Sequence, residues 1–165
     1  MTIDGKIARH ANHLTDWTSP EDKTSMRSLL DRSDAIVVGN STYKTAEGPL
    51  SKRNCIVFTR SVQDTERRGD HLIYFNGAGR SSIEAILEPY RLVAVLGGMH
   101  IYSYFLERDL IDDLYLTIEP IVFGAGLDLF HSEALATKRF GLAAFRGLNN
   151  HGSMLLHYRR PQTDV

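Results

Sequence analysis

The sequence predicts a single α/β domain whose largely parallel sheet is closed by an antiparallel hairpin, and three observations carry that expectation. Short apolar runs at 35–38, 55–59, 71–75 and 92–96 recur with helix-forming segments between them, the rhythm of strands joined by crossover helices. The run Leu92-Val93-Ala94-Val95-Leu96 is continuously apolar, as in a strand covered on both faces. Beyond Arg108 the rhythm changes, and two alternating segments, 141–148 and 153–159, flank the turn Asn149-Asn150-His151-Gly152 and read as a β-hairpin.

With 165 residues the chain can bury one sizeable core, so one domain over 1–165 is expected. Lys and Arg total 19 against 20 Asp and Glu, which leaves no net field to attract nucleic acid or an anionic membrane. No apolar stretch reaches the ~20 residues that cross a bilayer, and Met1-Thr2-Ile3-Asp4-Gly5-Lys6 contains no secretory apolar region. Cys55 is the only cysteine, which excludes an internal disulfide and a cysteine-based zinc site and fits a reducing, cytoplasmic location. His10 and His13 are close together but have no acidic or cysteine partner at ligand spacing, so they read as a solvated loop and no metal is expected.

Ser19-Pro20-Glu21-Asp22 has the form of a helix start, with Ser19 as N-cap and Pro20 in the first turn. The helix is expected to run to about Arg32 with Met26, Leu29 and Leu30 as its buried stripe. The strand 35–38 ends at Gly39, and Ser41-Thr42-Tyr43 opens a second, short helix. The strand 55–59 ends in the polar trio Thr59-Arg60-Ser61, and the strand 71–75 in the loop Asn76-Gly77-Ala78-Gly79, after which Ser81-Ser82 caps a helix through about Leu87. Leu96 leads into Gly97-Gly98 and then a helix from Met99 to near Arg108. Two glycines at the carboxyl end of a strand let a diphosphate approach the backbone and the following helix N-terminus, so this unit points to a nucleotide cofactor. Residues 113–119 form a strand, 120–130 a glycine-containing loop, and 161–165 a frayed tail after the hairpin.

In this order the segments resemble the dihydrofolate reductase superfamily, which includes the reductase domain of the bifunctional riboflavin-biosynthesis deaminase-reductase. Trp17-Thr18-Ser19-Pro20-Glu21-Asp22 is similar to the dihydrofolate reductase pattern of a tryptophan, a proline three residues on and the active-site acid five residues on. Gly39-Asn40-Ser41-Thr42-Tyr43 resembles the family's Gly-Arg-x-Thr-aromatic turn, and Gly97-Gly98-Met99-His100-Ile101-Tyr102 its Gly-Gly-x-x-aliphatic-Tyr, which in relatives carries a cis peptide between the glycines. Leu50-Ser51-Lys52-Arg53 resembles the segment whose leucine lines the folate pocket and whose arginine binds the glutamate tail, and Leu114-Tyr115-Leu116-Thr117 the strand whose threonine supports the acid.

The resemblance implies a three-layer α/β/α fold and a cofactor site of Ile7, Ala8, Gly39, Asn40, Ser41, Thr42, Thr59, Arg60, Ser61, Leu96, Gly97, Gly98, His100, Ile101 and Tyr102 holding NADPH. Arg60, with Thr59 and Ser61, would take the 2'-phosphate that separates NADPH from NADH. Asp22 on its own reads as an acid complementing the helix dipole; with Trp17 and Thr117 in register it becomes the candidate that anchors the amidine-like edge of a pterin by two hydrogen bonds. Trp17 would hold a bridging water and Thr117 would support Asp22, while Arg53, Met26, Leu50 and Arg27 would contact substrate.

This sequence also departs from the family pattern. Asn40 replaces a phosphate-binding arginine, Lys23 an apolar residue and Met26 an aromatic one, and the family's first strand is absent ahead of Thr2-Ile3-Asp4-Gly5-Lys6-Ile7-Ala8. Loss of that strand would leave its two neighbours with unpaired backbone groups. The implied activity is NADPH-dependent reduction of 7,8-dihydrofolate to tetrahydrofolate. The alternatives are reduction of 5-amino-6-(5-phosphoribosylamino)uracil, for which Lys23 and Arg27 would bind phosphate, and a dinucleotide-binding module without turnover. The partner is a small molecule, and the protein is a monomer or homodimer.

Overall fold

The computed structural model describes residues 1–131 and 136–161, so the expected tail lies, at 162–165, outside the described residues. In chain order the elements are β1 (Lys6–Ala8), a 3-10 turn (Thr15–Trp17), α1 (Pro20–Arg32), β2 (Ala35–Gly39), α2 (Asn40–Thr45), α3 (Glu47–Leu50), β3 (Cys55–Phe58), β4 (Thr65–Arg67) and β5 (Leu72–Phe75). There follow α4 (Ile83–Leu87), β6 (Val93–Val95), α5 (Met99–Glu107), β7 (Asp113–Ile118), β8 (Leu127–Asp128), β9 (Gly141–Gly147) and β10 (Met154–Arg159). The chain divides into two compact units, one of Met1–Met26 with Tyr102–Val165 and one of Arg27–Ile101.

The Arg27–Ile101 unit is built on a five-stranded sheet of order β4-β5-β3-β2-β6, parallel except for β4, which pairs antiparallel with β5. Its central strands behave as continuous apolar runs should: Val37, Val38, Ile56 and Val57 are fully buried because both faces are covered. Ile36, Val38, Tyr43, Leu50, Cys55 and Val57 form one core cluster, against which Leu30 and Leu96 pack. β6 departs from the expectation. Its three residues are half-buried and Leu92 is 50% exposed, because among the described residues β6 has β2 as its one strand partner and is a sheet edge. β4 escapes sequence reading for the opposite reason, since Thr65, Glu66 and Arg67 are all exposed and carry no apolar pattern.

The other unit carries the antiparallel sheet β7-β10-β9, with the expected hairpin between β9 and β10 and with Thr117 opposite Leu155. All seven residues of β9 are exposed, Leu142 and Phe145 among them, so its alternation places neither face in a core. The N-terminal residues line the end of β7: Thr2 forms a parallel bridge with Glu119, and the Met1 carbonyl accepts the Glu119 N–H at 2.8 Å. The loop expected at 120–130 contains β8, which pairs antiparallel with β1. Gly126 makes that approach possible, as a Cβ there would lie 2.3 Å from the Ala8 carbonyl oxygen.

α1 begins where the serine predicted it, with Ser19 Oγ accepting the Asp22 N–H at 3.2 Å. Its expected buried stripe is corrected. No α1 side chain is buried, Leu29 and Leu30 are half-buried, and Met26 is 42% exposed.

Candidate functional site

In the Arg27–Ile101 unit the predicted cofactor residues from Gly39 to Ile101 gather at the carboxyl ends of three adjacent parallel strands, β3, β2 and β6, where open α/β sheets bind ligands, whereas Ile7, Ala8 and Tyr102 belong to the other unit. Two cross-bonds tie the strand ends together: the Gly39 N–H donates to the Gly97 carbonyl at 3.0 Å, and the Leu96 N–H to the Val37 carbonyl at 2.8 Å. Gly97 is buried with φ +84°, a conformation that favours glycine, and the Gly97–Gly98 peptide is cis. A Cβ built on Gly98 would meet no heavy atom within 4 Å, so open space adjoins the start of α5. His100 is exposed in the first turn of α5 and Ile101 is half-buried.

Gly39 N-caps α2, whose first turn presents Ser41 and Thr42 to solvent, with Asn40 half-buried. At the end of β3 the Thr59 hydroxyl accepts the Ser61 N–H at 3.1 Å and bonds the Ser61 hydroxyl at 3.0 Å. That small turn leaves Arg60 exposed with no ion-pair partner among the described residues, and a free guanidinium there suits a phosphate oxyanion.

In the other unit the predicted acid lies in a cluster of its own. Asp22 is half-buried in the first turn of α1. Burial pushes the Tyr102 phenol up to about 12, with the Asp22 charge adding to the effect. Burial lowers the Met1 amino group, against which Asp22 and Glu119 act to hold its proton, and the amine donates to the Thr117 carbonyl at 2.5 Å. Thr117 thus contributes its backbone; among the described residues no hydrogen bond joins its hydroxyl to Asp22, contrary to the support expected of it. Trp17 ends the 3-10 turn with its ring edge-on to Phe123 at 4.9 Å and nearly parallel to His13 at 6.4 Å. Its Nε1 is buried without a hydrogen-bond partner among the described residues, and a buried indole N–H ordinarily has one. Ile7 and Ala8 are half-buried in β1, against β8.

The predicted substrate residues fare less well. Arg53 directs Nη1 to the Leu30 carbonyl at 2.8 Å and pairs Nη2 with the Asp31 carboxylate, so its fork is already engaged. Leu50 is 3% exposed within the core cluster and offers a ligand almost no surface. Met26 and Arg27 are exposed on α1, and Lys23 is half-buried one turn before Arg27.

Sequence reading missed Glu119, the buried carboxylate of the acid cluster, which accepts the Ser19 N–H and O–H at 2.8 Å each and the Ser153 O–H at 2.5 Å. Burial pushes its pKa up, but Ser153, Ser19 and the Met1 charge together hold it below the usual range. A signal was present. Glu119 continues the alternation of Tyr115 and Thr117 and so shares their face of the chain.

A family model described as dihydrofolate reductase matches residues 5–125. The uncharacterized protein YwjB of Bacillus subtilis (strain 168) is 26% identical over 170 residues, covering 97% of this chain and 94% of its own. The fold is shared with a pyrimidine reductase-like protein of Corynebacterium diphtheriae at TM-score 0.72 and 18% identity, covering 99% of this chain and 90% of that one. It is shared also with a diaminohydroxyphosphoribosylaminopyrimidine deaminase/5-amino-6-(5-phosphoribosylamino)uracil reductase of Thermotoga maritima at TM-score 0.72 and 20% identity, over 97% of this chain and 54% of that one. No helix among the described residues is long and apolar enough to cross a membrane.

Proposed function

The chain belongs to the dihydrofolate reductase family, and on that premise we propose that it is an NADPH-dependent reductase of a ribosylated aminopyrimidine of the 5-amino-6-(5-phosphoribosylamino)uracil type. Arg53 carries the choice of substrate. The folate reading needs a guanidinium free to fork onto the glutamate tail, and here both arms are held by Asp31 and the Leu30 carbonyl. An aminopyrimidine with a ribose phosphate makes no such demand. The uracil reductase and the pyrimidine reductase-like protein that share the fold support the same choice, which replaces the dihydrofolate expectation.

The residues present fit the cofactor. The open space at Gly98, the left-handed Gly97 and the exposed Arg60 suit a diphosphate and a 2'-phosphate. Bound there, NADPH supplies hydride. Thr42, Thr59 and Ser61 would hold the nucleotide half by their hydroxyls, and Asn40, which lacks charge, leaves the phosphate preference to Arg60. Asp22 would accept two hydrogen bonds from the amino and ring N–H edge of the pyrimidine, fixing the ring. Trp17 Nε1 is a donor without a partner among the described residues and would meet the same ligand or its water. Lys23 and Arg27 are one helical turn apart and would meet the substrate phosphate.

Initial rates of NADPH consumption test the reading, with the ribosylated aminopyrimidine and dihydrofolate as competing substrates. The expected kcat/KM for the pyrimidine exceeds that for dihydrofolate about 100-fold or more, as when a site leaves one substrate's polar groups unpaired. Equal or faster turnover of dihydrofolate overturns it.

A further inference from the structure

Glu119 is 3% exposed, and a carboxylate withdrawn from water is costly unless its oxygens are hydrogen-bonded. Here each oxygen has a partner. One accepts both the N–H and the O–H of Ser19, at 2.8 Å each, and the other accepts the O–H of Ser153 at 2.5 Å. Ser153, 1% exposed, is held in turn by Asn149, whose Oδ1 accepts its N–H at 3.2 Å and whose Nδ2 donates to its hydroxyl at 3.0 Å. The same Asn149 amide donates to Glu21 at 3.2 Å. The first turn of α1 is therefore gripped at Ser19 and at Glu21 from the turn between β9 and β10 and the end of β7.

Helix capping alone does not call for this arrangement. A serine N-cap satisfies the Asp22 N–H with its own oxygen and needs no buried acid behind it. The carboxylate adds direction. Because the Ser19 hydroxyl proton is drawn to Glu119, its remaining lone pair faces the Asp22 N–H, which it accepts at 3.2 Å. Donors thus converge on Glu119 from both sides, the Ser153 O–H on one and the Ser19 O–H on the other, and the Asp22 N–H that Ser19 accepts belongs to the acid assigned to the substrate. We infer that Glu119 is a positioning residue for Asp22, fixing through Ser19 the helix turn from which Asp22 addresses the pyrimidine edge. The inference rests on the proposed reaction for its kinetic consequence but not for its structural one.

Glu119→Ala, Glu119→Gln and Ser153→Ala form the test. Glu119→Ala is expected to lower kcat about 100-fold, the size of loss that a displaced reacting group produces, while the Kd for NADPH stays as in the wild type. Glu119→Gln retains an oxygen for both Ser19 bonds and is expected to restore kcat to within about threefold of wild type, since acceptance and not charge does the positioning. Trp17, the only tryptophan and two residues from Ser19, supplies a readout independent of turnover: its emission shifts in Glu119→Ala and not in Glu119→Gln. Exchange of the Asp22 amide proton is expected to quicken in the alanine variant alone. Should Glu119→Ala not fold, Ser153→Ala, which removes one of the three hydrogen bonds, is expected to move kcat and Asp22 exchange in the same direction. Unchanged kcat and exchange in a folded alanine variant, or a glutamine variant as impaired as alanine, overturns the assignment. If the wild type turns over neither substrate, the proposed reaction fails, while Trp17 emission and Asp22 exchange still decide the role of Glu119.

Discussion

At the scale of single residues, the sharpest expectation concerns Asp22. Asparagine in its place keeps the shape and the Ser19 cap but presents an amide N–H where the carboxylate accepts, so one of the two hydrogen bonds to the substrate edge becomes a donor facing a donor. Asp22→Asn is expected to lower kcat/KM about 100-fold or more, with NADPH affinity unchanged when binding is followed by fluorescence. Retained turnover removes Asp22 from the mechanism. The sequence singles out Asp22 because a tryptophan and a proline stand at fixed distances before it. It leaves Glu119 nearly unmarked: the alternation with Thr117 is a faint trace, and a charged residue at a strand end otherwise reads as solvated until the fold shows it 3% exposed. Arg53 shows the converse. Its guanidinium could be read from the chain, but its partner Asp31 lies 22 positions away in sequence, and only the packing of α1 beside the start of β3 reveals that it is engaged.

At the scale of elements, legibility followed apolar burial. β2, β3 and β5 were readable because strands with neighbours on both sides concentrate Val, Ile and Phe, and α1, α4 and α5 because their starts carry serine caps or a glycine pair. β1, β4 and β8 have three residues or fewer and are exposed or half-buried, so they exist only through their cross-strand hydrogen bonds and leave no periodic trace. The element that carries most of the cofactor argument is the turn between β6 and α5. Gly97 holds φ +84° there, and its carbonyl accepts the N–H of Gly39 at the neighbouring strand end. Gly97→Ala forces an L-residue into the left-handed region, which costs about 1–2 kcal/mol. Urea unfolding is expected to register that loss, and titration with NADPH a matching fall in affinity. A variant with wild-type midpoint and affinity would mean that the turn relaxes to another conformation without consequence.

At the scale of the whole chain, the two units are stabilised differently, and acid should separate them. The Arg27–Ile101 unit owns the deepest apolar core, with Ile36, Val37, Val38, Ile56, Val57, Phe75 and Ile83 at 1% exposure or less. The other unit buries Phe105, Leu106 and Ile111, and it also buries the polar groups Thr2, Ser103, Glu119 and Ser153. It also depends on carboxylates whose pKa values the fold depresses. The Thr2 hydroxyl, then the Phe123 and Gly124 N–H groups, bring Asp4 down to about 2. Asp109 is lowered by Lys138; Asp113, against the upward pull of its burial, by His157 and Arg159; Glu119, likewise against burial, by Ser153 and Ser19. A depressed carboxylate binds its proton more weakly when folded than when unfolded, so its contribution is fully present above the unfolded value, 3.8 for Asp and 4.5 for Glu, and is lost as pH falls through the folded one. Asp64 and Glu66 give the apolar unit a smaller share of the same sensitivity. Below about pH 4, hydrogen exchange should therefore quicken first in β7 and β10, with β2 and β3 still protected. Simultaneous loss of protection in both sets of strands would show that the molecule unfolds as one cooperative body in acid, and that the depressed carboxylates stabilise it as a whole.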